Sequence, residues 1–276
     1  MNSYALAIPI IFVLLVSGVS FTLFSTPAES TYISVPPSGS QDPSFNNISL
    51  GLVSGYSTID KFGKNPDVDT SVEDVWNDGG VRTELSSAST MIVTSSGSDT
   101  SGGSGANTVI IYGLDGNYDE ITETVTLNAA SPQTTTNSFI WINRMLVGES
   151  GSSDVNENDI AVTATTGGSS QAYILANEGQ TQLAMYMIPN GYTGYLTKGF
   201  LSTDANQLIT GELLVKPFDG SWNLKREVLI SSGLHEIDLS GSGSIPEKSI
   251  IKWQVQGSQV NNYVTAGFKL ILVETP

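Results

Sequence analysis

Hydrophobic positions follow two different patterns along this chain. From Tyr4 to Phe24 (YALAIPIIFVLLVSGVSFTLF) the residues carry no charge. About 20 such residues, rising ~1.5 Å each, match the ~30 Å hydrocarbon core of a bilayer. The pattern predicts a single N-terminal hydrophobic α-helix within residues 1–25. Its membrane-anchor side chains are Leu6, Ile8, Ile10, Ile11, Phe12, Val13, Leu14, Leu15, Val16, Phe21, Leu23 and Phe24. Pro9 lies in the first turns, where a missing N–H costs least. Met1-Asn2-Ser3 lacks the Lys or Arg of a secretory n-region, so a retained anchor is preferred to a cleaved signal or a filament-core helix. Residues 26–53, with Pro27, Pro36, Pro37 and Pro43 among many serines, read as an extended stalk.

From Ser54 the pattern changes to short strands broken by turn residues. Ile121–Leu127 alternates, with Ile121, Val125 and Leu127 on one face and threonines on the other. Gly113–Tyr118 supplies a tight turn before it, so with Thr108–Tyr112 it predicts a hairpin. Phe139–Ile142, Asp159–Thr163 and Ala172–Leu175 are further strands. Thr181–Ile188 is apolar on both faces, as a strand covered on each side would be. Asn190-Gly191 then turns the chain into Thr193–Thr197. Leu208–Val215, Val228–Ile230, Glu236–Leu239, Ile250–Val255 and Val264–Val273 continue the series. The expected fold class is all-β: two antiparallel β-sandwich or jelly-roll-like units, 54–179 and 180–276, preceded by the helix. Ser95–Ala106 (SSGSDTSGGSGA) reads as a flexible surface loop.

Charge and residue chemistry narrow the function. A net charge of −16, from 27 acids and 11 bases, argues against nucleic acid, whose phosphates need a basic face. It suits a salty exterior or a dense array of identical subunits. With no cysteine there is no disulfide and no thiolate metal site. Asp67, Asp69, Glu73 and Asp74 crowd one loop; Asp115, Asp119 and Glu120 a second; Asp154, Glu157 and Asp159 a third. Ca²⁺ takes about 6–8 oxygen ligands, but none of these has EF-hand spacing, and solvated acidic loops are the simpler reading. His235 is the single histidine and no G-x-S-x-G accompanies it, so no catalytic, cofactor or metal residue is assigned and no enzyme is expected. Trp76 has two readings: exposed it could stack on a sugar as a ligand contact, buried it would fill a core. Trp141, Trp222 and Trp253 read as core or interface.

Five stretches, in order, carry a family resemblance: Lys61–Gly80 (KFGKNPDVDTSVEDVWNDGG), Gly113–Ala130 (GLDGNYDEITETVTLNAA), Met187–Phe200 (MIPNGYTGYLTKGF), Ile245–Val255 (IPEKSIIKWQV) and Gly267–Glu274 (GFKLILVE). Over residues 54–274 the chain resembles virion-associated structural proteins of marine tailed phages and environmental viruses. The apolar segment ahead of Leu52 departs from that family's pattern. The resemblance implies an oligomeric β-sandwich component of a virus particle, and it transfers no catalytic or binding residue. The leading expectation is a membrane-anchored minor capsid or spike-like subunit, virion-located, acting in assembly or host contact. Its partners would be the membrane, other copies of itself or other virion proteins, and a glycan or receptor on the host surface. The alternatives are a surface-layer or pilin-like filament subunit of a marine microbe, or a carbohydrate-binding ectodomain. The charged pre-segment and early helix glutamate of type IV pilins are absent.

Overall fold

The computed structural model describes residues 45–204 and 206–275. The expected anchor, Leu6–Phe24, and most of the stalk lie outside the described residues. Among those described, no helix is long and apolar enough to cross a membrane. The described residues open with a one-turn helix, α1 (Phe45–Ser49).

Strands follow. The first are β1 (Tyr56–Val68), β2 (Glu73–Asp74), β3 (Met91–Thr94), β4 (Thr108–Leu114), β5 (Glu120–Thr126) and β6 (Gln133–Thr134). Next come β7 (Trp141–Val147), β8 (Ile160–Ala164), β9 (Ser170–Ile174), β10 (Met185–Met187), β11 (Tyr192–Thr203) and β12 (Ile209–Lys216). The series ends with β13 (Asn223–Ile230), β14 (Gly233–Asp238), β15 (Ser244–Ile245), β16 (Ile250–Gly257) and β17 (Asn262–Glu274). They form four small antiparallel sheets. Sheet one runs β1-β17-β11-β14 with β15 also on β11, and sheet two runs β10-β16-β12-β13 with β2 on β16. Sheet three runs β6-β3-β8-β9 and sheet four β5-β4-β7.

This corrects the expected fold class. The described residues are all-β, but they build four small sheets rather than two jelly-roll-like units behind a helix. The sheets also ignore the sequence halves: β1 pairs with β17 from Tyr56↔Val273 to Val68↔Asn262, and β2 pairs with β16. The cause lies in β1 itself. Its sequence YSTIDKFGKNPDV lacks the apolar alternation that announces a strand, and it becomes one because β17 offers a long apolar partner.

Elsewhere alternation dictates local structure. β8 reads buried, half-buried, buried along IAVTA, and β3 does the same along MIVT. A one-residue slip would expose each buried set, so register is strongly held. The expected hairpin is present: Val109 faces Val125, Gly113 faces Ile121, and the Asp115 carboxylate accepts the amides of Asn117 and Asp119 to form the turn. Gly191, with φ +77°, supplies the left-handed residue after Asn190.

Three apolar clusters hold the sheets. Trp253, Phe268, Leu213, Leu201 and Ile251 fill the space between sheets one and two. Met91, Ile111, Phe139, Met145 and Ile160 fill the space between sheets three and four. Trp76, Leu114, Trp141, Met185, Met187 and Ile250 join sheet two to sheet four, so β10 is covered on both faces. The Ser95–Ala106 tract is not loose. Asp99 is fully buried there and its carboxylate accepts the amides of Ala106, Glu157 and Asn158. Three charge-assisted bonds to one carboxylate pin the loop.

Candidate functional site

The residues singled out in the sequence do not converge. Trp76 is buried (3% exposed), and its indole N–H donates to the carbonyls of Gly79 and Gly80 at 2.7 and 3.2 Å. The ring therefore fills the third cluster. His235 is exposed on β14, opposite Leu201. The acidic loops are hydrogen-bonded internally. Glu73 accepts the amides of Asp69 and Gly80 and the side chain of Asn65, and Asp159 accepts the Tyr173 hydroxyl at 2.7 Å. Ser104 and Ser153 bond to Glu157 and hold its carboxyl below the usual carboxylate range. Among the described residues no group of three or more His, Cys, Asp or Glu is placed to hold a metal ion.

A different place gathers chemistry: a cleft of about 560 Å³ between the edge strand β1 and the outer face of sheet four. One wall is a cross-strand row, Thr122–Tyr112–Arg144, set by the registers of β5, β4 and β7. Glu120 lies two residues before Thr122, on the same face. The register of β7 slips between Tyr112 and Gly113, which face Arg144 and Ile142, so Asn143 is the extra residue of a bulge. That bulge links three elements. The Asn143 side chain exchanges two hydrogen bonds with the Met187 backbone, at 2.9 and 3.1 Å, and its carbonyl accepts the Lys61 ammonium at 2.5 Å.

The other wall is β1. Ile59, Lys61, Gly63 and Asn65 share its inward side, by the two-residue repeat of a strand. Phe62 O accepts the Leu183 amide and the Lys64 amide donates to Gln182 O, so even-numbered backbone groups point away from β17. By the same repeat the peptide groups of Thr58 and Asp60 point out of this edge, where β1 has no strand partner among the described residues. The floor includes Tyr186 of β10, which is 4% exposed, and its hydroxyl has no hydrogen-bond partner among the described residues. Such an orphaned buried hydroxyl costs about 1–3 kcal/mol unless something satisfies it.

Electrostatics sharpen the picture. Burial lowers the Lys61 ammonium from 10.5 to about 7, helped by the positive charges of Arg144 and Arg82. Burial also raises the Glu120 carboxyl. It raises the Tyr186 hydroxyl too, with the Glu120 charge adding to the effect. Gln180 accepts a bond from Arg144 at 2.6 Å and fixes that guanidinium at the rim. Asp60 is drawn off by Lys269 at 3.0 Å. Behind the cleft, Arg82 stacks on Trp141 with 3.9 Å to the ring centroid and donates to Ile142 O. Sequence reading missed Lys61, Tyr112, Glu120, Arg144 and Tyr186 as a group. The one available signal was a lysine in phase with Ile59, inside a stretch not recognised as a strand.

No family model matches the chain, and no curated protein matches it. Among solved structures it is similar to a chain in the structure of infectious bursal disease virus Gx strain, at 12% identity and a TM-score of 0.26, covering 79% of this chain and 72% of that one. It is also similar to the infectious bursal disease virus VP2 subviral particle, at 10% identity and a TM-score of 0.19, covering 80% and 72% respectively. The likeness to these viral proteins is distant.

Proposed function

We propose that this chain is a structural subunit of a virus particle, working by assembly and contact rather than turnover, with Tyr4–Phe24 as its membrane anchor. The observation that carries the reading is a pair of adjoining strand edges with exposed leucines. Among the described residues β13 is an edge strand of sheet two and β14 an edge strand of sheet one, and only Ser231-Ser232 separates them. Along these edges Leu224, Leu229 and Leu234 are 52%, 55% and 62% exposed. Proteins that work alone blunt such edges, because free strand edges and apolar side chains invite pairing. The same two strands carry Lys225 and Arg226 beside Glu227, Glu236 and Asp238, so the patch is self-complementary in charge. A second copy related by a two-fold axis is the occupant that such a patch fits.

The membrane-anchored, host-contacting role extends this reading from the sequence: an uncharged run at one end, a proline-rich stalk, and an acidic β-rich remainder. The test is mass spectrometry of purified particles before and after detergent extraction. The chain is expected in intact particles and in the detergent-released lipid fraction. Its absence from intact particles would refute the proposal, and its retention in the detergent-stripped shell would refute the anchor.

A further inference from the structure

We propose that the cleft between β1 and sheet four binds a carboxylate-bearing sugar residue, its acid group held between Lys61 and Arg144 and its ring laid on Tyr112. This rests on the host-contact reading and names the ligand class that such contact would use. Four observations on the cleft carry it.

The first is size. About 560 Å³ falls inside the ~300–1,000 Å³ range of small-ligand sites. The second is the pair of cations. Among the described residues the Lys61 ammonium touches one carbonyl and no carboxylate, while Arg144 is held at the rim by a neutral amide, so both keep donors for an anion. Without a guest they repel each other across a partly desolvated space, and a bound carboxylate would turn that repulsion into two attractions.

The third is Tyr112. Its side chain is 38% exposed and stands in the row directly between Thr122 and Arg144. A flat ring beside a guanidinium offers an apolar platform with a cationic end, which suits the C–H face of a pyranose carrying a carboxylate. The fourth is the unpartnered Tyr186 hydroxyl in the floor. Together with Glu120, Gln180 and the edge peptide groups of Thr58 and Asp60, it supplies the mixture of donors and acceptors that ring hydroxyls need. A plain inorganic anion would use the two cations and leave the other groups idle.

The experiment is titration calorimetry of the full chain in detergent with the methyl glycosides of glucuronic, galacturonic and N-acetylneuraminic acid. Methyl glucoside and sodium acetate serve as controls. At least one acidic glycoside should bind with a dissociation constant below about 1 mM, and methyl glucoside and acetate at least about tenfold more weakly. Arg144→Gln and Tyr112→Ala should each weaken binding at least about tenfold. Tyr186→Phe, which removes one oxygen and no packing, should weaken it about fivefold or more. Lys216→Gln, on the far strand β12, should change nothing. No binding of any acidic glycoside at about 10 mM would overturn the proposal. So would equal binding of methyl glucoside or of acetate, or retention of full affinity in both Arg144→Gln and Tyr186→Phe. A chain found in particles but failing here loses only the sugar assignment, whereas a chain absent from particles loses the host-contact reading whatever it binds.

Discussion

Replacing Lys61 by methionine probes the buried ammonium directly. The substitution keeps most of the side-chain volume and removes the charge. Lys61 falls from 10.5 in an open chain to about 7 in the folded one, chiefly because burial disfavours its charged form. At ~1.36 kcal/mol per tenfold change, that gap corresponds to about 5 kcal/mol, and partial solvent access to the side chain reduces it to roughly 2–3 kcal/mol. The sign follows from proton counting. Below about pH 7 the lysine is charged in both states and the full destabilisation is present. Between about 7 and 10.5 the unfolded chain holds a proton that the folded chain lacks, so stability rises with pH. Above 10.5 the contribution vanishes. Methionine has no such dependence but forfeits the bond to Asn143 O, about 1 kcal/mol. Urea unfolding of the detergent-solubilised full chain at pH 6, 7.5 and 9 measures the difference. Lys61→Met should exceed the parent by about 1–2 kcal/mol at pH 6, and the advantage should shrink by a similar amount by pH 9. A difference that is constant with pH, or that grows as pH rises, would refute the reasoning.

Three further outcomes can be checked by denaturation or sedimentation. Lys252 is 5% exposed and pairs with the fully buried Asp74 at 2.8 Å, with its ammonium 4.4 Å from the Trp222 ring centroid. Lys252→Met strands that carboxylate and should cost about 3–5 kcal/mol in urea unfolding, while Asp74→Asn together with Lys252→Met should recover much of it. A Cβ at Gly63 would lie 2.3 Å from Ala184 N and 2.4 Å from Val75 O, so Gly63→Ala must push β1 off its neighbours and should lower stability by about 3 kcal/mol or more by the same measurement. Leu229→Lys, on the outer face of β13, should leave the unfolding midpoint within about 0.5 kcal/mol of the parent but reduce self-association in sedimentation velocity. Unchanged association would remove the edge surface from the assembly argument.

Local order was written into the chain wherever one face of a strand had to be apolar. Ile121, Val125 and Leu127 announced their shared face, and Asp115 through Tyr118 announced the turn behind it. Thr181–Ile188 announced a strand covered on both sides, and its segment Met185–Met187 is buried throughout. These signals depend only on neighbours a few residues away, because side-chain alternation and turn chemistry are properties of the local backbone. The acidic surplus and the missing cysteines bounded the chemistry in the same direct way. Tertiary structure alone decided that Tyr56–Val68 is a strand, since its polar sequence gains order only from β17, some two hundred positions later. It also decided that the glycine- and serine-rich tract around Asp99 is pinned, because the amides of Glu157 and Asn158 arrive from a distant loop. The cleft belongs to the same class. Lys61, Tyr112, Glu120, Arg144 and Tyr186 come from five strands, and no spacing in the sequence connects them. Their proximity follows from sheet register and one bulged asparagine, and register across distant strands is settled by which apolar faces bury together.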